Sequence, residues 1–571
     1  MTKKKSKERA VFLPLGGSGE IGMNMNLFGY GRDNHEKWIM VDCGVTFGGP
    51  DTPGVDIIFP DFEFIKERRE DLKAIILTHA HEDHIGAIAY VWPELRVPLY
   101  ATAFTARMIQ DKFNDRGVDV KGFLNIVPLK SSIVIGDFRI EFVSMTHSIP
   151  EPNGIYIKTP AANIYHTGDW KFDPDPVLGE PTDHKRIAEI AAEGIDACIC
   201  DSTNALDNTP SGSEAAILSP MVKALRKSTG RVAITTFASN VARMKTLMRA
   251  IKDSGRKCVL AGRSVERIFN HGRAMNYFED LPEPVALEEV KDHTPGTLAC
   301  ICTGSQGEQR AALGKMARGI HPFFNLSEGD TVIFSSKTIP GNEKSVFTIY
   351  NMLAENGVTV LTSKDFDIHV SGHPTAPDLE KLYKILKPNV AIPVHGEIRH
   401  MNRHAEIALA HGANHAIVPQ NGDFIEITRE GVICDKEVEA GRLYLDGRIV
   451  EESAFGSASE RKRLTYAGYA AIFVIVDKSG NLLSPPDIQS FGVPDGDKLF
   501  GRAGMEYLYH QLVEAYEGLD AKDYDDDQKI SEAIRLSYRR TVNQAWGKKP
   551  ITEVKVIRLG SALIKFMNSA S

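Results

Sequence analysis

The sequence predicts a mixed α/β chain: a sheet with metal-binding loops at its edge, interrupted by an inserted domain built on a parallel sheet. Three observations carry this. The apolar run Ala74-Ile75-Ile76-Leu77 breaks into four potential metal ligands within six residues, His79, His81, Asp83 and His84. From about 205 to 366, β-runs alternate with helical patterns, the rhythm of a parallel sheet covered by helices on both faces. Then Val390-Ala391-Ile392-Pro393-Val394-His395 is again an apolar run ending in His, so the pattern of the first part resumes after the insertion.

Taken in order, residues 1–10 form a basic start, followed by a strand at Val11–Leu15. Gly16-Gly17-Ser18-Gly19-Glu20-Ile21-Gly22 leads into another strand, Asn24–Tyr30, rather than into a helix. It therefore lacks the context of a dinucleotide fingerprint and reads as a tight turn lining the site. Trp38–Val41 is a strand ending in Asp42-x-Gly44, and Ile85–Val91, after the His cluster, reads as a helix. Val97–Thr102 is a strand and Ala103–Lys112 a helix. Ile133–Ile135 and Phe138–Val143 flank Gly136-Asp137 as a hairpin that runs on to His147. Ala162–His166 is a strand ending at Asp169, and Ala197–Cys200 one ending at Asp201. The insertion's β-runs are 232–236, 257–260, 298–302, 331–334 and 358–361. Residues 441–460 are polar with scattered Gly and read as a linker. From 461 a C-terminal α+β unit follows, with a strand at 470–476, an amphipathic helix near 502–518, a second helix near 530–545 and a last strand at 554–558. The acidic Asp525-Asp526-Asp527 reads as a solvated loop.

Composition narrows the class. A chain of 571 residues is too long for one core and suggests about three or four domains. Seven cysteines, odd in number and mostly inside apolar runs, fit buried thiols in a reducing, cytoplasmic setting. The polar start offers no signal peptide, and no run reaches about 18 apolar residues, so no membrane partner is expected. A net charge of −8 argues against whole-surface nucleic-acid binding but leaves room for a local basic groove.

The spacing of the cluster carries the chemistry. A tight turn at a strand end aims His79 and His81 to one side, while Asp83 and His84, opening a helix, face a second point nearby. That suits two divalent metals about 3.5–4 Å apart. Mixed imidazole and carboxylate donors suit zinc, with manganese as an alternative. A His-rich polar turn formed by chance is the competing reading, and the position straight after an apolar strand counts against it.

His79-Ala80-His81-Glu82-Asp83-His84 resembles the signature of the metallo-β-lactamase superfamily. Asp201-Ser202-Thr203-Asn204, the insertion, His369-Val370-Ser371-Gly372-His373 and Pro393-Val394-His395-Gly396-Glu397 together are similar to the β-CASP nucleases within it. The resemblance covers nearly the whole chain and implies an αββα core, 1–204 with 367–440, around a β-CASP insertion at 205–366. It implies two zinc ions, or manganese or magnesium. One would sit on His79, His81 and His147, the other on Asp83, His84 and His395, with Asp169 between them. His373 would contact the scissile phosphate, Asp201 would orient a ligand, and these two with Asp83 would carry catalysis. His395 matches the RNA-cutting members, where DNA-specific members tend to carry Val. The resemblance further implies a 5′-monophosphate pocket at His369, Val370, Ser371, Gly372 and His373, 5′-to-3′ exonuclease and endonuclease activity on single-stranded RNA, and assembly into dimers or tetramers. Arg243, Arg263 and Arg267 would line the RNA path. A small-molecule metallohydrolase, a β-CASP DNA nuclease and an inactive RNA-binding subunit are the alternatives. The size of the insertion opposes the first, His395 the second, and the complete ligand set the third.

Overall fold

A computed structural model describes residues 8–339, 341–453 and 456–560. The chain divides into two compact units, one comprising residues up to Thr46 with Phe59–Arg442, the other Phe47–Ile58 with the chain from Leu443 onward.

The first unit holds a two-sheet sandwich. One sheet has eight strands, in which Arg9–Gly16, Met25–Gly31, Lys37–Val41, Leu72–Ile76 and Leu99–Ala101 are successive neighbours. The other has seven and includes Phe138–Ser144, Asn153–Lys158, Asn163–His166, Ala197–Asp201 and Val390–Val394. Phe12, Phe28, Ile39 and Ile76 of the first sheet meet Phe142, Ile155, Ile199 and Ile392 of the second in one buried cluster. Strand alternation sends neighbouring residues to the opposite face. Thus Ala197 and Ile199 join the inter-sheet core, while Cys198 and Cys200 pack under the helices His184–Glu193, Ala376–Leu386 and Ile398–His411. The Cys-x-Cys spacing here records strand period, not a metal site.

The insertion leaves the core after Ala197–Asp201 and returns through Val390–Val394. These two strands lie side by side in parallel, Ala197 opposite Val390 and Asp201 opposite Val394. Between them, Lys257–Ala261, Leu298–Cys302, Val232–Thr235, Thr331–Phe334 and Thr359–Leu361 form, in that spatial order, an all-parallel sheet.

The stretch expected as a linker holds structure: Arg442–Asp446 and Ile449–Glu452 pair as an antiparallel hairpin, and within the second unit the Asp56 N–H donates to the Leu445 carbonyl at 2.9 Å. The strand Tyr469–Asp477 buries every second residue, Ala470, Ile472, Val474 and Val476. These pack on Leu508, Leu512 and Tyr516 of the helix Gly504–Glu517 and on Ile530, Ile534, Tyr538 and Val542 of Asp527–Trp546. The i, i+4 spacing gives each helix one apolar stripe. The amphipathic helix expected near 502–518 thus spends its apolar face on its own domain's core. Asp526 caps the next helix through the N–H groups of Gln528 and Lys529. No helix among the described residues is long and apolar enough to cross a membrane.

Candidate metal centre

The centre forms where strand ends of both sheets converge. Leu72–Ile76 ends just before Thr78 and His79, and His81 stands immediately before the short helix Glu82–Ile85 that carries Asp83 and His84. The turn is held from two sides: the Asn24 N–H, just before Met25–Gly31, donates to the Asp83 carbonyl at 2.9 Å, and the Cys43 N–H, in the loop after Lys37–Val41, to the His84 carbonyl at 2.6 Å. Gly44 is required there, because a Cβ would lie 1.7 Å from the Asp83 carbonyl oxygen. His147, Asp169, Asp201 and His395 arrive from the ends of the seven-stranded sheet.

The ligand-type atoms fall into overlapping groups. Those of His79, His81, His147 and Asp169 all lie within 4.8 Å of one another, as do those of Asp83, His84, Asp169 and His395. Asp169, Asp201, His373 and His395 form a third such group. Asp169 is at the centre. Its Oδ2 lies 3.2 Å from His84 Nε2, 3.6 Å from His395 Nε2, and 3.7 Å from His79 Nε2, His147 Nε2 and His373 Nδ1.

The arrangement fits cations. His81 Nδ1 lies 3.1 Å from His79 Nε2 and 3.0 Å from His147 Nε2. Nitrogens bound tetrahedrally to one zinc at about 2.0–2.1 Å stand roughly 3.3 Å apart. Asp169 Oδ2 and His395 Nε2 are buried and make no hydrogen bond among the described residues, a costly state for polar atoms that a cation relieves. Burial holds the His79 and His147 imidazoles well below their usual pKa and His81 down to about 4, so all three are neutral ligand-type donors.

Four of the imidazoles, those of His79, His84, His147 and His395, are steadied from outside. Thr78 Oγ1 sits 3.0 Å from His79 Nδ1, Asp42 Oδ2 accepts from His84 Nδ1 at 2.7 Å, and the Gly372 carbonyl accepts from His147 Nδ1 at 2.5 Å. The Asn24 amide lies 2.9 Å from His395 Nδ1, and the His395 N–H donates to the Gly17 carbonyl at 2.6 Å. The Gly-rich turn thus lines the site, pairing Ser18–Gly19 with Gly396–Glu397. Asp42 and Asn24 are site residues that sequence reasoning missed. The available signal was Asp42-x-Gly44, an acid ending a strand beside a compulsory Gly. An acceptor such as Asp42 orients its histidine and raises that ring's basicity, while Asn24 fixes position.

His373 Nδ1 is 2.8 Å from Asp201 Oδ2. Burial works to depress its pKa, but the Asp201 and Asp169 carboxylates outweigh burial and push it up to about 9. Asp201 also accepts from the Thr203 N–H and hydroxyl, and so fixes the loop after its strand. Ser371 and Gly372 stand beside the centre, with the Ser371 hydroxyl accepting from Asn204 at 2.6 Å and from the His373 N–H at 3.1 Å. His369 lies further back. Burial and the nearby Arg243 guanidinium push its pKa down to about 3, and it contacts Arg243 at 3.3 Å.

The three arginines separate. Arg263 lines an open cavity of about 570 Å³ with Arg310 and Lys315. Arg267 is half-exposed and paired with Asp115 at 2.8 Å. Arg243 is not a surface residue: it is fully buried and paired with Glu214 at 2.6 Å. A helix-start arginine looks solvent-facing in sequence, and its partner comes from a distant segment.

The sandwich and its His/Asp cluster, interrupted by a parallel α/β insertion, define a hydrolase of the metallo-β-lactamase type with a candidate metal centre. Four family models match in succession: the metallo-beta-lactamase superfamily at 30–218, the ribonuclease J beta-CASP domain at 229–353, the Zn-dependent metallo-hydrolase RNA specificity domain at 365–419, and the ribonuclease J C-terminal domain at 457–559. The chain is 41% identical to the ribonuclease J of Sinorhizobium meliloti, covering 97% of this chain and 98% of that protein. It is 33% identical to ribonuclease J 1 of Streptococcus pyogenes, over 94% and 96% respectively. A crystal structure of a protein of unknown function from Enterococcus faecalis shares the fold at a TM-score of 0.51 and 18% identity, covering 74% of this chain and all of that one. The chain belongs to the ribonuclease J family, and it is a metal-dependent, RNA-binding ribonuclease.

Proposed function

We propose that the chain degrades single-stranded RNA stepwise, 5′ to 3′, from 5′-monophosphate ends and also cuts it internally, in RNA maturation and decay. Two divalent ions, zinc by the donor chemistry with manganese or magnesium as substitutes, would be held by His79, His81 and His147 and by Asp83, His84 and His395, with Asp169 shared. When bound, such a pair supplies Lewis acidity toward a phosphodiester and lowers the pKa of water. His373, oriented by Asp201, turns its other ring nitrogen to a phosphoryl oxygen or to the leaving 3′-oxygen.

The observation that carries the reading is the bond from His147 Nδ1 to the Gly372 carbonyl at 2.5 Å, which ties a small-residue turn directly to the donor cluster. Among the described residues the Ser371 and Gly372 N–H groups have no partner, and backbone N–H groups of turns bind phosphate. A terminal phosphate held there would set the first phosphodiester at the cluster, one nucleotide per cycle. In this reading the core is 1–204 with 367–440, the insertion 205–366, and the C-terminal domain extends back from 461 to take in the hairpin. That domain would serve assembly into a homodimer or tetramer. Seven unpaired thiols suit work in the cytoplasm.

The test is digestion of an RNA labelled at its 3′ end, comparing 5′-monophosphate with 5′-triphosphate forms and the native chain with His81→Ala. Rapid stepwise loss of the monophosphate form, abolished by His81→Ala, is expected. Equal internal cutting of both forms would remove the end-sensing pocket. No cleavage with zinc or manganese would overturn the reading as a whole.

A further inference from the structure

Arg243 lies in the insertion, on the helix Val241–Asp253, yet its guanidinium reaches the loop that borders the metal centre, at His369 and Val370. Nε and Nη2 form a fork on the Glu214 carboxylate at 2.6 and 3.0 Å. Nη1 donates to the Ser335 carbonyl at 2.7 Å and hydroxyl at 3.0 Å, and lies 3.3 Å from His369 Nδ1. Nη2 also donates to the Val370 carbonyl at 3.1 Å. The Ser335 hydroxyl in turn donates to the Ile368 carbonyl at 2.7 Å. One buried side chain therefore clamps the end of the insertion's strand Thr331–Phe334 to the segment 368–370 as it re-enters the core.

The Val370 contact has a geometric consequence. The Val370–Ser371 peptide is trans, as no cis bond occurs among the described residues. In a planar trans peptide the C=O and the following N–H point in opposite directions. Holding the Val370 carbonyl on the guanidinium turns the Ser371 N–H away from Arg243. On the far side of the turn, Gly372 is fixed by His147 through its carbonyl. The turn is thus held from both sides, and of the two anchors it is the one on the Val370 carbonyl that sets the direction of the Ser371 N–H.

We propose that Arg243, oriented by Glu214, is a positioning residue for recognition of the RNA 5′-phosphate. It touches neither substrate nor metal, and it acts by aiming the Ser371 N–H. This rests on the 5′-phosphate pocket proposed above. Its fork geometry is essential, because a lysine retains the charge but cannot hold Glu214, Ser335 and Val370 at once.

The experiment compares the native chain, Arg243→Lys and the double variant Glu214→Gln/Arg243→Gln, which removes both charges together so that neither is left buried alone. Two quantities are read: the kcat/KM ratio for 5′-monophosphate over 5′-hydroxyl RNA of one sequence, and the Kd of adenosine 5′-monophosphate by calorimetry. Both variants are expected to lower the ratio about tenfold, chiefly through KM, and to weaken mononucleotide binding by about the same factor, the effect of one misdirected hydrogen bond. A thermal melt identifies any variant that does not fold, and Arg243→Lys then decides alone. A folded variant whose ratio and Kd stay within about twofold of native overturns the proposal. A native chain with a ratio near one would refute the pocket itself, a different failure visible before any variant is made.

Discussion

Asp42 offers the most discriminating perturbation of the centre. It is fully buried and accepts from three donors, one of them shared between its two oxygens. Oδ1 takes the Thr78 N–H at 2.8 Å and hydroxyl at 3.0 Å, and Oδ2 takes the same hydroxyl at 2.8 Å and His84 Nδ1 at 2.7 Å. Its backbone is left-handed, at φ 67°, a conformation Asn tolerates, so Asp42→Asn changes the chemistry with little strain. The new amide can keep its oxygen on Thr78 only by turning its NH2 toward His84 Nδ1. Nδ1 then has to accept, and the ring proton moves to Nε2, the atom facing Asp169. A ligand nitrogen carrying a proton cannot bind a cation. Removing an outer partner of this kind costs about 10–100-fold in metal affinity, or roughly 1.4–2.7 kcal/mol. Chelator competition measures the affinity directly, and RNA cleavage as a function of metal concentration should shift by the same factor and recover at excess metal. Native-like metal affinity in a folded Asp42→Asn protein would refute the assignment of His84 Nε2 as a ligand atom.

Other outcomes follow from the same geometry. His373→Gln should lower RNA cleavage about 10²–10⁴-fold with metal content unchanged by mass spectrometry, and a loss of metal would place His373 among the ligands instead. Gly372→Ala should displace His147, because the new Cβ would lie 2.9 Å from its Cε1 and 3.0 Å from its Nδ1; metal analysis should find the bound content reduced, and full content would contradict the contact. Leu512→Ala, at a fully buried position of the C-terminal core, should destabilise that domain by about 2–5 kcal/mol in urea unfolding, and a change below about 1 kcal/mol would mean that the helix is not packed as described.

What the sequence disclosed follows distance along the chain. His79, His81, Asp83 and His84 are legible because one strand end and one helix turn place them together, so spacing and geometry are the same information. The insertion is legible because a parallel sheet needs long crossovers, which impose a rhythm. Asp42 and Asn24 are single residues of common type whose work is visible only when strands from elsewhere are laid beside them. Arg243 misleads for the converse reason: its spacing suggests the surface, and only the distant Glu214, Ser335 and Val370 reveal burial. The hairpin at 442–452 escapes because Ile449 and Val450 are exposed, so no buried face writes an alternation into the sequence.

The side-by-side pairing of Ala197–Asp201 with Val390–Val394 bears on how the molecule is made. These strands touch along their length, yet the entire insertion is translated between them. A chain emerging from the ribosome holds its first histidines, His147 and Asp169 long before it holds His395, and until the insertion is complete the sheet lacks the strand that delivers it. The insertion can collapse on its own local crossovers in the meantime, since domains generally fold as units. Strand closure is then a late, long-range event of the slow kind. Completion of the metal centre therefore waits on completion of the inserted domain. A fragment stalled within the insertion lacks His395, and so leaves the second ligand group one donor short, while still attached to the message that encodes it.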